Sequence, residues 1–275
     1  MAIVTVSYQM GAGGSEIGMG VAQRLGYRYV DQELIQDAVQ RYGLAEDKAS
    51  HLDESKPSLF ERFDAETRYY ITILQSTLLD FAETDNAVLM GRGGQWLLRG
   101  IPHVLRMRVL APFEQRVRRW IKRTADVTGE TPSQRAAADF VRRDDTEKSG
   151  RMRYLYEVDV DDPMLYDVIL NTEKVRFDAA VDAIVSALRR PEMTTTEAGL
   201  KLVVARALAS RVQVALATNP ETRRYRISVD AEDGVITLEG TSELEQAVEV
   251  ARMVPGVRDV RTRQVEIPPI PPFVA

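Results

Sequence analysis

The sequence predicts an α/β fold, in which a parallel sheet flanked by helices is followed by a small α-β-β-α-β domain. Three observations support this prediction. Apolar runs of strand length alternate with helical patterns up to about residue 190, which is typical of a parallel sheet covered by helices. Residues 189–199 then have no apolar periodicity and separate a second part of different character. A glycine-rich stretch follows the first predicted strand.

The strands of the first domain, residues 1–190, are predicted from short apolar runs bounded by polar or glycine residues. These runs are AIVTVS at 2–7, AVLMG at 87–91, VLRMRVLA at 104–111 and DVILNT at 167–172.

The second domain is predicted to span residues 198–268, after a linker at 191–197 that contains proline and a threonine run. It begins with a helix at about 198–217 and continues with two strands around Asp233-Gly234, a helix at about 242–253 and a last strand. The proline-rich tail, 269–275, cannot extend a sheet, so it is interpreted as either a disordered end or a short extended strap.

Composition excludes several classes of function. The chain of 275 residues has no cysteine and two histidines, which rules out disulfides, thiolate nucleophiles and zinc sites built on cysteine or several histidines. Its net charge of −5 argues against a general nucleic-acid binder. Because no secretory signal or apolar run of membrane length is found, a soluble cytoplasmic protein without a transmembrane segment is expected. The oligomeric state is left open, a homo-oligomer included.

The glycine-rich stretch GAGGS has the composition of a phosphate-binding loop. Gly11, Gly13 and Gly14 let the backbone turn its N–H groups toward one point, and the following helix adds its positive end. The full pattern G-x-x-x-x-G-K-[ST] also requires a leading glycine and a lysine, but this chain has Tyr8 and Gly14 there and keeps only the hydroxyl of Ser15. A tight glycine turn packed against a helix is the alternative interpretation.

Five motifs in order extend this pattern over residues 2–190: GAGGSEIG followed by VAQRLGYRYVDQELI, then VLMGRGG, VLAPFEQRVRR, VRRDDTEKSGR and YDVILNTE. Together they resemble the cytidylate kinase family of nucleoside monophosphate kinases, and more closely its divergent cytidylate kinase-like branch. The resemblance implies a P-loop kinase-type fold that binds ATP, Mg²⁺ and a pyrimidine nucleoside monophosphate, CMP or dCMP before UMP. In such an enzyme, guanidinium groups, main-chain amides and Mg²⁺ neutralise phosphate charge during phosphoryl transfer.

The resemblance also implies roles for individual residues. The residues expected to bind ATP are Gly11, Ala12, Gly13, Gly14, Ser15 and Glu16, and those expected to bind Mg²⁺ are Ser15 and Asp31. The residues expected to contact the acceptor are Arg68, Arg92, Arg143 and Asp144. The expected catalytic residues are Asp31, Arg92, Arg143, Lys148 and Arg151. For Asp31, two roles stay open: ordering water on Mg²⁺ or orienting the acceptor.

The segments RVRRWIKR and RRDDTEKSGR are expected to bracket a mobile lid over the donor phosphates. The alternative is that the arginines of the first segment form a solvated helix face; these are Arg116, Arg118, Arg119 and Arg123. Gln32, Glu33 and Gly93 depart from the residues of the classical enzymes, which leaves cytosine specificity open.

The missing loop lysine leaves two alternatives. Either a lid arginine or Lys148 takes its place, or the chain binds nucleotides without efficient turnover, as a sensor would. We expect a working kinase, because Asp31, Arg92, Arg143 and Asp144 are present. A lysine introduced at Gly14 is expected to be tolerated poorly if that glycine has a positive φ.

The second domain contains LKLVVARALAS, YRISVDAEDGVITLEG and AVEVARMVPGVRDVRTRQVEI. These segments resemble the BON domain, which implies binding of a lipid, another small hydrophobic molecule or a protein partner. A plain packing or oligomerisation domain is the alternative. Three functions therefore stand: a kinase with a regulatory domain, a nucleotide sensor, and a BON-type tether on an α/β scaffold.

Overall fold

The computed structural model describes residues 2–31, 65–91, 93–225, 227–241 and 244–264. The chain divides into two compact units, Met1–Leu200 and Lys201–Ala275. Each unit has its own sheet and its own apolar core.

The first unit is built on a five-stranded parallel sheet. Its strands are β1 (Ile3–Tyr8), β2 (Arg28–Val30), β3 (Ala87–Met90), β4 (Val104–Leu110) and β5 (Val168–Asn171). They are ordered β2-β3-β1-β4-β5, and every neighbouring pair is parallel. The loop that follows β1 lies at the carboxyl edge of the sheet, where ligands bind in open α/β folds. Because β1 is the central strand, this loop lies at the middle of that edge.

Helices cover this sheet. They are α1 (Gly14–Leu25), α2 (Ala65–Glu83), the one-turn α3 (Gly94–Leu97), α4 (Phe113–Thr128), α5 (Gln134–Tyr156) and α6 (Phe177–Leu188). Short 3₁₀ turns follow α5 and α6, at Pro163–Leu165 and Pro191–Met193. No helix within the described ranges is both long enough and apolar enough to span a membrane.

Local signals account for several helix ends. Gly13 precedes α1 and Gly26 follows it, both with positive φ, a conformation that glycine adopts without steric cost. Helix α5 begins after Ser133, whose hydroxyl accepts a hydrogen bond from the N–H of Ala136, as expected of an N-cap serine.

The main core lies between the sheet and helices α1 and α6. Val4 and Val6 of β1 and Met107 of β4 are buried with Ile17 of α1 and Ile184 of α6. Burial of such a side chain contributes about 1.5–3 kcal/mol. The core therefore holds the beginning of α1, and with it the preceding loop, against the sheet.

The second unit contains most of α7 (Glu197–Thr218), then β6 (Ile227–Glu232), β7 (Val235–Gly240), α8 (Glu245–Arg252) and β8 (Asp259–Gln264). Strand β7 pairs antiparallel with β6 and parallel with β8. The β6–β7 hairpin turns at Asp233 and Gly234, which both have positive φ, as in a type I′ turn. Ile236 and Leu238 of β7 are fully buried in its core.

The predicted fold class is confirmed, from the parallel sheet with its flanking helices to the α-β-β-α-β order of the second unit. The domain limits 1–190, 191–197 and 198–268 stay a proposal. Within the predicted linker, Thr195 donates a hydrogen bond of 2.6 Å to Asp85, which ties this segment to the first unit. The predicted tail, 269–275, lies outside the described residues.

Candidate functional site

The loop between β1 and α1 is closely packed at its glycines. Gly11 and Gly13 have φ of 77° and 90°. A Cβ on Gly11 would collide with the carbonyl of Arg116, and one on Gly13 would collide with the ring of Phe177. Both positions therefore require glycine for its backbone conformation and for space. The tight-turn interpretation describes this packing well, but the same loop also lines a cavity.

The loop backbone is anchored from the end of β5. Ala12 is buried, and its carbonyl accepts a hydrogen bond of 2.7 Å from the hydroxyl of Thr172. Arg119 of α4 donates hydrogen bonds of 2.8 Å to the hydroxyl and to the carbonyl of Thr172. Its guanidinium also lies 5.0 Å from the centroid of the Phe177 ring. Ala12 thus anchors the loop through its carbonyl group and not through its side chain. Arg119 is connected to the loop through Thr172.

A cavity of about 720 Å³ opens beside the loop. The loop side is lined by Gly11, Gly13, Gly14, Ser15 and Glu16, and the α4 side by Arg119, Trp120, Lys122 and Arg123. Helix α1 begins at Gly14, so its unpaired first-turn N–H groups and the positive end of its dipole lie at this cavity. We name it the loop cavity. Its main-chain donors and cationic side chains are the groups that bind a polyphosphate.

A larger cavity of about 850 Å³ lies between the sheet and α5, and we name it the sheet cavity. The sheet contributes Ser7 and Arg108; the β3–α3 segment contributes Gly91, Gly93 and Gln95; and α5 contributes Arg143, Asp144, Lys148, Arg151 and Met152. Its lining mixes cationic, acidic and apolar side chains, which suits a ligand that has both a phosphate and a flat base.

The two cavities meet at three residues, because Tyr8, Met10 and Asp31 line both of them. Tyr8 ends β1, and Asp31 directly follows β2. Parallel strands present their carboxyl ends at one edge of the sheet, which explains why these residues come together. A ligand in the loop cavity would therefore meet a ligand in the sheet cavity next to Asp31.

Tyr29 lies beside this junction. Burial raises its pKa to about 12, and the charge of Asp31 adds to the increase, while a hydrogen bond with Ser15 acts in the opposite direction. The Tyr29 phenol therefore stays protonated near neutral pH and adds no negative charge next to Ser15 and Asp31.

The predicted site residues of α5 all line the sheet cavity: Arg143, Asp144, Lys148 and Arg151. The Arg143 side chain is 67% exposed and lies 3.9 Å from Glu147. The ammonium of Lys148 lies 3.0 Å from the carboxylate of Asp144 and 4.6 Å from the centroid of the Tyr8 ring. Lys148 thus contacts the junction residue Tyr8.

The β3–α3 segment carries the predicted Arg92, which lies outside the described residues, as does the side chain of Arg68 on α2. Gly91 and Gly93 both have positive φ. A Cβ on Gly93 would lie 2.5 Å from the ring of Tyr156. The aspartate that the classical enzymes carry at this position therefore does not fit here unless that ring moves.

Ser15 and Asp31, the predicted ligands of Mg²⁺, line the loop cavity together. Their hydroxyl and carboxylate oxygens are hard donors that suit Mg²⁺, which usually takes one or two protein ligands and completes its coordination with phosphates and water. In the described ranges, no group of three His, Cys, Asp or Glu side chains is placed to hold a metal ion. The hydroxyl of Ser15 and the carboxylate of Asp31 therefore suit an Mg²⁺ ion that is bound together with a nucleotide in the loop cavity.

The α4 arginines do not form one uniform solvated face. Arg116 is only 4% exposed; it donates to the carbonyl of Met10 at 3.3 Å and forms a two-bonded pair with Asp145 at 3.0 and 2.8 Å. Arg118 and Arg123 are exposed. The solvated-face interpretation is therefore wrong for Arg116, because its guanidinium joins the loop to α5.

Arg108 is a site residue that the sequence analysis missed. It is 6% exposed but lines the sheet cavity, and it donates to the hydroxyls of Ser7 (3.0 Å) and Tyr166 (3.3 Å) and to Asp161 (2.6 Å). The sequence did contain a signal, since Arg108 lies inside the apolar strand VLRMRVL. An arginine in a buried strand needs specific partners for its guanidinium, and such partners often belong to a site.

Comparison with protein families gives two matches. Residues 3–174 match the cytidylate kinase-like family, and residues 205–269 match the BON domain. The first match covers more than half of the chain and includes both cavities, apart from the Phe177 edge of the loop cavity.

Comparison with individual proteins gives relatives over the first part of the chain. The cytidylate kinase of Halorubrum lacusprofundi is 29% identical over 197 residues, which cover 71% of this chain and 93% of that protein. The cytidylate kinase of Methanocaldococcus jannaschii is 26% identical over 192 residues, covering 68% and 97%. A solved structure of an uncharacterised protein from Eubacterium ventriosum is similar in fold, with a TM-score of 0.53 at 18% identity, covering 68% of this chain and 97% of that one.

Proposed function

This chain belongs to the cytidylate kinase-like family, and from that premise we propose that it is a nucleoside monophosphate kinase that transfers a phosphoryl group from ATP to a pyrimidine nucleoside monophosphate. The observation that carries the proposal is the meeting of the two cavities at Tyr8, Met10 and Asp31. One cavity has the groups that bind a polyphosphate, and the other accommodates a second ligand. Transfer between two nucleotides requires this arrangement.

In this proposal, ATP binds in the loop cavity. The main-chain N–H groups of the loop and of the first turn of α1 hold the phosphates, since few side chains are needed at a helix N-terminus. Lys122 and Arg123 of α4, which line the same cavity, add positive charge. Ser15 and Asp31 would hold Mg²⁺, which draws charge from the phosphate oxygens when it is bound.

The acceptor binds in the sheet cavity. Arg143 and Arg151 would neutralise its phosphate, with Arg92 and Arg68 proposed as further phosphate ligands from the family resemblance. Asp144 would contact the acceptor nucleotide. Guanidinium groups suit this role because they form two parallel hydrogen bonds to phosphate oxygens.

The reaction itself needs little covalent chemistry from the protein. An oxygen of the acceptor phosphate forms a bond to the γ-phosphorus of ATP, and the bond from that phosphorus to the bridging oxygen breaks. The electron pair of the broken bond stays on ADP, and the acceptor becomes a nucleoside diphosphate. Catalysis then consists of aligning the two oxygens and stabilising the charge on the transferred group.

A preference for CMP and dCMP over UMP is the finer part of the proposal. It is supported by the relatives named cytidylate kinase. Gly93 and the Tyr156 ring next to it replace the classical aspartate, so base recognition here would differ in detail from that of the classical enzymes. A cytoplasmic setting likewise remains a prediction.

The experiment is a panel of ribo- and deoxyribonucleoside monophosphates with Mg-ATP, read out by ADP formation and by thermal shift. We expect diphosphate formation from CMP and dCMP, with a lower kcat/KM for UMP. Purine acceptors serve as the specificity control. Absence of diphosphate product with every acceptor would refute the kinase proposal.

A nucleotide sensor is the second candidate, and the observation that favours it is the missing loop lysine. Thermal stabilisation by ATP without ADP formation would support the sensor. If ATP gives neither thermal stabilisation nor ADP formation, the result would support the third function, in which the α/β unit is only a scaffold for the BON-type unit. For that unit we propose a binding role toward a lipid, another hydrophobic molecule or a protein partner.

A further inference from the structure

Two positions of the phosphate-binding pattern differ in this chain, and they are in contact with each other. Tyr8 stands where the pattern has its leading glycine, and Gly14 stands where it has its lysine. A Cβ built on Gly14 would collide with Cβ and Cγ of Tyr8. These atoms are next to the Tyr8 backbone and cannot swing away as the end of a flexible side chain could.

The conformation of Gly14 does not explain why it is glycine. Gly14 is the first residue of α1 and is absent from the positive-φ positions, unlike Gly13 before it. The obstacle to a lysine is therefore the Tyr8 side chain, and not the backbone conformation that the sequence suggested.

A lysine nevertheless reaches this place from another element. The ammonium of Lys148 on α5 lies 4.6 Å from the centroid of the Tyr8 ring. Asp144, one turn earlier on α5, lies 3.0 Å from the same ammonium. An aromatic face attracts a cation electrostatically, and the ring and the carboxylate together limit where the ammonium can go.

We propose that Tyr8, Gly14 and Lys148 form one compensating exchange, in which Tyr8 is a positioning residue that holds the Lys148 ammonium beside the loop in place of a loop lysine. This inference rests on the proposed function, because it assigns Lys148 to the phosphates of the donor nucleotide. The Tyr8 ring excludes a side chain at position 14 and supplies the surface that orients the substitute cation.

The charge balance is consistent with this assignment. Asp144 offsets the charge of Lys148 in the absence of a ligand, and a polyphosphate in the loop cavity would compete with Asp144 for the ammonium. Lys148 reaches the junction by lining the sheet cavity, where Tyr8 also lies. The cation therefore approaches the phosphates from the acceptor side, opposite to a lysine on α1.

The first test is a double-mutant cycle between Tyr8 and Lys148. We expect Lys148→Ala and Tyr8→Ala each to lower kcat by about tenfold or more, with a change of less than about threefold in the acceptor KM, because a contact with the donor phosphates is lost that exists in the bound state and strengthens in the transition state. The double variant should be no more than about threefold slower than Lys148→Ala alone, since both changes remove one interaction. Tyr8→Phe should recover most of the rate lost in Tyr8→Ala, because phenylalanine keeps the aromatic face.

Lys174→Ala is the matched control, since Lys174 is exposed and lines neither cavity. Its kcat should equal that of the native protein. If instead the effects of Tyr8→Ala and Lys148→Ala multiply, or if Tyr8→Phe is as slow as Tyr8→Ala, the positioning role is wrong.

The second test rebuilds the ordinary loop. Gly14→Lys alone should destabilise the protein, because its side chain meets Tyr8. Tyr8→Gly combined with Gly14→Lys should relieve that collision, and in this background Lys148→Ala should cost less than about threefold in kcat. An equally large loss from Lys148→Ala in both backgrounds would overturn the proposal. If the rebuilt loop does not fold, as judged by its melting temperature, the double-mutant cycle alone decides.

A binding measurement separates failure of this inference from failure of the proposed function. Calorimetry with Mg²⁺ and the non-hydrolysable ATP analogue AMP-PNP needs no turnover. If the native protein makes no diphosphate, the kinase proposal fails, but Lys148→Ala and Tyr8→Ala should still weaken AMP-PNP binding by about tenfold in the same non-additive way. Unchanged Kd values in that case would refute the inference as well.

Discussion

Arg108 depends on its neighbours for its place in the buried sheet. An isolated guanidinium inside a protein costs several kcal/mol, and the cost is offset only when its donors are satisfied. Ser7, Tyr166 and Asp161 supply three oxygen acceptors within 3.3 Å. The Asp161 side chain is itself 70% exposed, so the pair lies at the boundary between sheet and cavity. The result is a positive charge held at the floor of the sheet cavity.

His103 is the residue for which we predict a pH effect. It is 1% exposed, and neither ring nitrogen has a hydrogen-bond partner within the part of the chain that the structure describes. Burial lowers its pKa, with the opposing charge of Asp85 too small to reverse the shift. Since the unfolded chain then binds more protons than the folded one, the free energy of unfolding should fall as pH decreases through about 6.5, the ordinary pKa of histidine.

The measurement is urea unfolding between pH 7.5 and 5.5 of the native protein and of His103→Asn. The variant should be less stable at both values but should lose less stability on acidification. His51→Asn, which removes the other histidine of the sequence, is the comparison. The same pH dependence in the native protein and in His103→Asn would contradict the prediction.

At the level of elements, Arg116 joins three parts of the first unit. It belongs to α4, donates to the loop carbonyl of Met10 and pairs with Asp145 of α5. Helices α4 and α5 also share a small apolar cluster around Val117 and Val141. Helix α4, which lines the loop cavity, is therefore connected through Arg116 both to the loop and to α5.

We predict that Asp145→Asn lowers the free energy of unfolding by about 2–3 kcal/mol, since it leaves the buried Arg116 without its counter-charge. The Asp145 side chain is 30% exposed, so the loss stays below that of a fully buried pair. Asp139→Asn removes an ion pair on the same helix whose side chains are 63% and 65% exposed, and it should cost no more than about 0.5 kcal/mol. Denaturant titration measures both, and equal losses in the two variants would show that Arg116 is not a structural connection.

At the level of the whole molecule, the two units have separate apolar cores. We predict two unfolding transitions in a calorimetric scan. Leu238→Ala, at a fully buried position of β7, should lower only one of them, with a loss of about 2–5 kcal/mol. Leu89→Ala, at an equally buried position of β3, should lower only the other.

Adding Mg-ATP is an independent way to decide which transition belongs to which unit. A ligand stabilises the unit that binds it by about 2.7 kcal/mol at a concentration of a hundred times Kd, so only the transition lowered by Leu89→Ala should move up. A single transition that responds to both variants would show that the units unfold together, contrary to the prediction.

The sequence by itself determined the fold class, four of the five strands of the first unit, the α-β-β-α-β order of the second unit and the position of the glycine loop. The three-residue strand β2 (Arg28–Val30) was not among the predicted runs. Strand runs such as AIVTVS and turn signals such as Asp233-Gly234 are local patterns, and local patterns depend on residues a few positions apart. The candidate residues Asp31, Arg143, Asp144, Lys148 and Arg151 were likewise found from short motifs, and all of them line the sheet cavity.

Only the tertiary structure decided which charged side chains are buried and which residues meet. Arg108 and Ser7 are 101 positions apart but adjacent in the sheet, because β4 pairs with β1. The Tyr8 ring lies over Gly14, and Lys148 reaches that ring from a distant helix. No local pattern contains these contacts, since strand order and helix packing arise from burial of the apolar surface of the whole unit.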